Sequence, residues 1–141
     1  MDFETANEIT RALRRLAMLQ PGRASELLRD LGLQPGQAVV PPELARLEPA
    51  SQITLAQAVE VDEPSVGRSI ARLEAKDLVK RRVDPHDSRR RVVELTARGA
   101  RLIPELEQLY INFAKRAVGE PNSSFHRKLI KTIDETTSRF E

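Results

Sequence analysis

The chain has no cysteine in its 141 residues. That excludes disulfides, thiolate nucleophiles, cysteine-based zinc fingers and thiol redox sensing in one step. Histidine is nearly as scarce, and the two present, His86 and His126, lie in different segments. A metal site would have to come from carboxylates, and no clustered ligand spacing is visible. No nucleophile–base pair can be assembled from this inventory, so the expectation is a protein that is not an enzyme, with no catalytic residue, cofactor or metal. Long apolar runs are missing too, so no transmembrane helix is expected. The opening stretch, MDFETANEITRALRRL, carries acids where a secretory signal needs basic residues, and it has no apolar core. A cytoplasmic protein without a membrane partner is the expectation. Repeats and low-complexity tracts are also absent.

What is present is a soluble composition, with 40% hydrophobic and 31% charged residues. A chain of this size buries about 68–70% of its unfolded surface, enough for one cored domain with added helices. The net charge of +2 hides an uneven distribution. Residues 63–101 hold eleven Lys or Arg against six Asp or Glu, a local +5 that leaves −3 for the rest. A basic middle between acidic ends is the footprint of a polyanion-binding module. The plainer alternative is an ordinary charged surface.

Residues 3–18 space Ala6, Ile9, Thr10, Leu13, Leu16 and Ala17 as one face of a helix. QPGR at 20–23 interrupts it, and a short helix over 24–31 should end at Gly32. Pro35 suits the first helical position, whereas Pro41-Pro42 predicts a break near 40–41 and a restart over 42–47. Thr54 is placed to cap LAQAV, and Asp62 to cap a helix over 63–76 that starts Glu63-Pro64. That second helix would bury Val66, Ile70 and Leu73 and leave Arg68, Ser69, Arg72, Glu74 and Lys76 outward. A short helix, a tight turn and an amphipathic helix with outward arginines is helix-turn-helix spacing.

Next comes VKRRVDPHDSRRRVVELT, residues 79–96, with six basic side chains in two triplets. LVKRRV (78–83) and RRVVEL (90–95) are β-compatible runs around the turn residues DPHDS. A hairpin after the second helix is a wing, which would bring both triplets near one tip. Thr96 is a plausible cap for a long helix over 97–118 with a stripe of Leu102, Leu106, Leu109, Tyr110, Phe113 and Ala117. Pro104 inside it predicts a kink or a start near 102–103. After GEPNSS, Ser123 or Ser124 would cap a last helix carrying Phe125, Leu129, Ile133 and Phe140.

About fifty residues, TLAQAVEVDEPSVGRSIARLEAKDLVKRRVDPHDSRRRVVELTARGARL (54–102), resemble the winged helix-turn-helix core of the MarR family of transcription regulators. The most specific piece is DPHDSRRRVVELTARG, similar to that family's D-P-x-D-x-R…L-T-x-x-G wing and exit. The flanking helices match by layout. The resemblance implies a mainly α fold with a small β-hairpin wing. In it a winged helix-turn-helix core over 34–100 is flanked by dimerisation helices, N-terminal (1–33) and C-terminal (101–141). It implies a homodimeric regulator of double-stranded DNA, read here as a repressor, that binds a pseudo-palindromic operator with half-sites roughly 10 bp apart.

In the recognition helix the candidate DNA contacts are Ser65, Arg68, Ser69 and Arg72, near the end that can reach base edges. A solvated helix face is the plainer reading of Arg68 and Arg72. In the wing they are Asp87, Arg89, Arg90 and Arg91. By resemblance Arg89 enters the minor groove and Asp87 orients it. His86, at the tip, reads as a solvated turn residue. Relatives often bind a small aromatic or carboxylate effector between the lobes. Arg14, Arg15 and Tyr110 lie on helices that would line such a pocket, although ordinary structural roles suit each of them. Two departures stand out: Asp77 where the family usually has glycine, and Pro41-Pro42 in a helix that is normally continuous. Two rivals remain open, an effector-independent architectural DNA binder and a protein-interaction scaffold that no longer binds DNA.

Overall fold

The computed structural model of the protein describes residues 22, 25–119 and 123–140. The helix expected over 3–18, with Arg14 and Arg15, lies outside the described residues. Residues 25–28 are helical and tighten into a 3-10 turn, Arg29–Leu31, which Gly32 closes at φ 65°. That left-handed conformation has no steric cost for glycine.

Helix α1, Pro35–Ala38, starts on its proline, and α2, Val40–Leu47, follows after Val39. The break therefore falls at Val39, ahead of the expected 40–41, and the double proline lies inside the first turn of α2. The physical reason is donor loss. Pro41 and Pro42 cannot donate to the carbonyls of Gln37 and Ala38, so one continuous helix is impossible. In a first turn the same missing donors would have had no helical partner anyway. Val40 and Pro41 are fully buried and hold the turn in place.

Helix α3, Gln52–Val59, is capped by Ser51, whose Oγ accepts the N–H of Thr54 at 3.1 Å. The cap expected at Thr54 is thus one turn earlier. Thr54 is still used, because its hydroxyl meets Ser51 Oγ at 2.8 Å. Glu60, at φ 54°, makes the tight turn. Helix α4, Glu63–Ala75, opens on Asp62, whose carboxylate accepts the Ser65 N–H at 2.9 Å. Its Val66, Ile70 and Leu73 are buried, as the spacing predicts. α4 packs on α1, α2 and α3. Lys76 does not face outward: its ammonium reaches back to the carbonyl of Gly32 and to Gln37 Oε1 at 3.0 Å, satisfying a buried amide. Asp77, where the resemblance leads one to expect glycine, takes the left-handed φ of 57°.

Strands β1, Val79–Asp84, and β2, Asp87–Leu95, form an antiparallel hairpin closed by Pro85-His86. Register runs evenly from Val79↔Leu95 to Val83↔Arg91 and then breaks, with Asp84 facing Asp87. In unbroken register Asp84 would face Arg90. Ser88, Arg89 and Arg90 are therefore extra residues on β2, a bulge at the tip. The base of β2 is held from a second side. Ala50 exchanges both backbone hydrogen bonds with Val93, at 3.1 and 2.8 Å, and Glu48 Oε1 accepts Leu95 N–H at 2.6 Å.

Helix α5, Ala97–Val118, is capped by Thr96, which accepts the Gly99 N–H at 3.0 Å. It runs continuously through Pro104, so the start expected near 102–103 is not taken. Gly99 is required by packing, since a Cβ there would overlap the carbonyl oxygen of Leu78. The core gathers Val40, Leu44, Leu55, Val66, Ile70, Leu73, Val79 and Leu106, all nearly inaccessible. Each such side chain contributes about 1.5–3 kcal/mol by leaving water.

The chain divides after Leu106 into two compact units. The second contains the end of α5 and helix α6, Ser123–Thr137. Within it Leu109, Phe113 and Leu129 are half-buried, whereas Ile111, Phe125, Ile130 and Ile133 are exposed. Phe140 lies past the end of α6 and is 84% exposed. Burial pushes the Tyr110 phenol above its ordinary value of 10.0. The Ala117, Ser123 and His126 side chains lie outside the described residues.

Candidate nucleic-acid interface

Ser65, Arg68, Ser69 and Arg72 occupy the first and middle turns of α4. Asp62 fixes where that helix starts and therefore which residues point out of it. Arg68 and Arg72 are exposed, while Ser65 and Ser69 are half-buried. Arg68 Nη2 donates to Ser65 Oγ at 2.6 Å. The Ser65 hydroxyl and N–H both serve the Asp62 carboxylate, and Arg68 adds a nearby positive charge, so Asp62 is held below its ordinary 3.8. The helix thus carries a short relay, Asp62–Ser65–Arg68, that aims the guanidinium. Sequence spacing exposed the cap but not the relay, which depends on rotamers.

The wing carries the remaining candidates. Asp87 Oδ1 accepts the Arg89 N–H at 3.0 Å, and Arg89 Nε lies 3.5 Å from the same oxygen. The Arg89 side chain is 92% exposed. Arg90 and Arg91 are exposed and have no acid partner among the described residues. His86 is exposed at the turn, where its N–H donates to Asp84 Oδ1 at 2.9 Å.

The two basic triplets do not share the tip. Lys80, Arg81 and Arg82 sit in the regular ladder opposite Glu94, Val93 and Val92, at the base of the wing. Glu94 pairs with Arg82 Nε at 2.5 Å and with Lys80 Nζ at 3.0 Å. Those two cations hold its carboxyl below its ordinary 4.5, Arg82 contributing most. On the opposite face of β1, Arg81 is bound to Glu74 of α4 through its guanidinium and through its N–H, the latter at 3.2 Å. Glu74 and Glu94 are the residues that sequence reasoning missed. Only the register and the angle between helix and hairpin reveal them.

Among the described residues no group of three or more His, Cys, Asp or Glu is placed to hold a metal ion. Nor is any described helix long and apolar enough to cross a membrane.

Comparison with known proteins agrees with this geometry. Residues 31–90 match the sequence model of the MarR family. The chain is 33% identical over 75 residues to the HTH-type transcriptional repressor NicR of Pseudomonas putida, a match covering 53% of this chain and 48% of that protein. The chain thus spans about half the length of the curated relative it matches. Among solved structures it is similar to S. aureus MepR in complex with DNA, with a TM-score of 0.81, 19% identity and coverage of 94% of this chain and 98% of that one. It is also similar to the transcriptional regulator BldR of Sulfolobus solfataricus, with a TM-score of 0.77, 20% identity and 99% of both chains covered. At that identity the likeness shows the fold. The helix-turn-helix, the wing and these structural likenesses together show a winged helix-turn-helix fold, and over residues 31–90 the chain is similar to the MarR family.

Proposed function

We propose that the protein is a homodimeric, sequence-specific regulator of transcription that binds double-stranded DNA and acts as a repressor. The observation that carries this reading is the Arg89 side chain, almost fully exposed on a bulged wing tip and tethered by Asp87, beside a capped helix with exposed Arg68 and Arg72. A helix of this kind fits the major groove, and an arginine on a wing fits the narrow minor groove. Arg68 is the base reader, aimed by Ser65, with Ser69 and Arg72 beside it. Arg90 and Arg91 grip phosphates. NicR, similar over half its length, is itself a repressor, and MepR is a DNA binder.

The core over 34–100 carries the DNA contacts, and the flanks, 1–33 and 101–141, carry dimerisation. The exposed Ile111, Phe125, Ile130 and Ile133 support the second part, because a monomer gains nothing by wetting them. Two copies would meet a pseudo-palindrome with half-sites about one helical turn, roughly 10 bp, apart. A small aromatic or carboxylate effector relieves repression, and the protein works in the cytoplasm.

The test is a salt titration of binding to DNA fragments from around the protein's own coding region, with wild type beside Arg89→Ala. One fragment should win by about 10³-fold or more, with log K falling steeply against log salt. Weak, equal binding to every fragment, with Arg89→Ala no different, overturns the reading and leaves a protein-interaction scaffold.

A further inference from the structure

We propose that Glu94 and Glu74 are specificity-setting residues that hold the first basic triplet, Lys80-Arg81-Arg82, off the DNA. This rests on the DNA-binding reading above. All three cations of that triplet are occupied within the protein. Lys80 and Arg82 project from one face of β1 and converge on the single carboxylate of Glu94, one oxygen to each. Arg81 projects from the other face and is taken by Glu74. Glu94 is the most sheltered of the group, its side chain only 17% exposed between its two partners. The second triplet has no such arrangement. Its one acid, Asp87, holds Arg89 loosely and leaves it in solvent.

The consequence for a polyanion is quantitative. A cation that merely grips phosphate adds affinity without reading sequence. Because it can take a backbone that the reading residues do not hold in register, it adds more to a wrong site than to the right one and lowers the ratio by which the right site wins. Strand rise is about 3.3 Å per residue, so Arg82 lies ~7 Å and Lys80 ~13 Å from the tip at Asp84. Screening reaches about 8 Å at physiological salt, so Arg82 is within electrostatic reach of a backbone held by the tip, and Lys80 is at the margin. Glu94 cancels both. Glu74 does the same for Arg81 and, by taking its N–H as well, fixes the wing against the recognition helix. Reading is thereby concentrated on α4 and on the tip.

The experiment measures fluorescence anisotropy of the preferred fragment and of an unrelated one, from low to moderate salt. The proteins are wild type, Glu94→Gln, Arg82→Gln and the double variant, each checked for cooperative melting. Glu94→Gln keeps the size and the acceptor and removes the charge. It should steepen the salt slope by about 0.9–1.8, one to two added phosphate contacts, and tighten the unrelated fragment more than the preferred one. Arg82→Gln alone should leave the slope as in wild type. Added to Glu94→Gln it should return most of the change. A folded Glu94→Gln with an unchanged slope overturns the proposal. So does an Arg82→Gln that by itself loses about one phosphate's worth of slope, because Arg82 would then already be on the DNA. If Glu94→Gln does not fold, Arg82→Gln and Lys80→Gln still decide, since both must match wild type. Wild type failing to bind either fragment overturns the DNA reading itself, an outcome distinguishable because no slope then exists to compare.

Discussion

The Asp87 carboxylate accepts the backbone N–H of Arg89 while the Arg89 guanidinium, 3.5 Å away at its nearest nitrogen, remains in solvent. The acid therefore shapes the loop more than it neutralises the cation. Arg89→Ala should weaken the preferred fragment about 5–160-fold, the range set by ~1–3 kcal/mol for one good contact, and reduce the salt slope by about 0.9. Asp87→Asn keeps the acceptor and should cost much less than Asp87→Ala. Anisotropy titrations with the three variants check the order.

Gly99 tests the helix exit. In a helix, Gly→Ala ordinarily gains about 1 kcal/mol. Here the new Cβ would overlap the Leu78 carbonyl, which belongs to backbone and cannot swing aside. Overpacking of this kind costs about 1–3 kcal/mol, so sterics outweigh propensity. Gly99→Ala should lower the urea midpoint without changing the slope of the transition.

Asp77 sits at φ 57°. Asp77→Gly should be neutral or slightly stabilising, and Asp77→Val should cost about 1–2 kcal/mol, because a β-branched residue tolerates the left-handed region poorly. Chemical denaturation of the two variants measures this directly.

Acid dependence follows from Glu94 and Asp62, whose carboxyls are depressed in the folded state, from 4.5 and 3.8 respectively. A depressed carboxyl contributes fully while the unfolded group is also ionised, and the contribution is lost as pH falls through the folded value. Stability should hold above pH 4.5 and decline progressively below it. Glu94→Gln should flatten the first part of that decline, and Asp62→Asn the part below 3.8. The Asp62 effect should shrink in high salt, because that group is exposed, and the sheltered Glu94 effect should shrink less. Urea midpoints measured across the acid range give the curve.

Much of this was legible in the residues themselves. Val66, Ile70 and Leu73 marked the buried face of α4, Asp62 its start, and Thr96 the start of α5. These are local rules, acting over three or four residues. Where the rules were non-local the reading slipped. The order of the two triplets depended on the hairpin register, and a turn as short as Pro85-His86 together with a bulge is not written in hydrophobic alternation. Lys76, polar and placed to point outward, turned back because Gln37 and the Gly32 carbonyl needed a donor. The proline pair misled in a smaller way. It breaks a helix when it falls inside one, but it suits a helix that begins just before it.

The bulge at Ser88–Arg90 separates two parts of the wing that behave differently under change. Below it, each side chain's face is fixed by its pairing, and slipping by one residue would put Arg91 or Glu94 in the place of one of the buried valines, Val92 and Val93. Above it only the Asp84–Asp87 pair and the turn remain. A residue added or removed there would lengthen or shorten the arginine's reach and leave every rung beneath unmoved. If the wing enters a groove as proposed, small insertions at this one spot would fit it to grooves of different depth without rebuilding the domain that carries it.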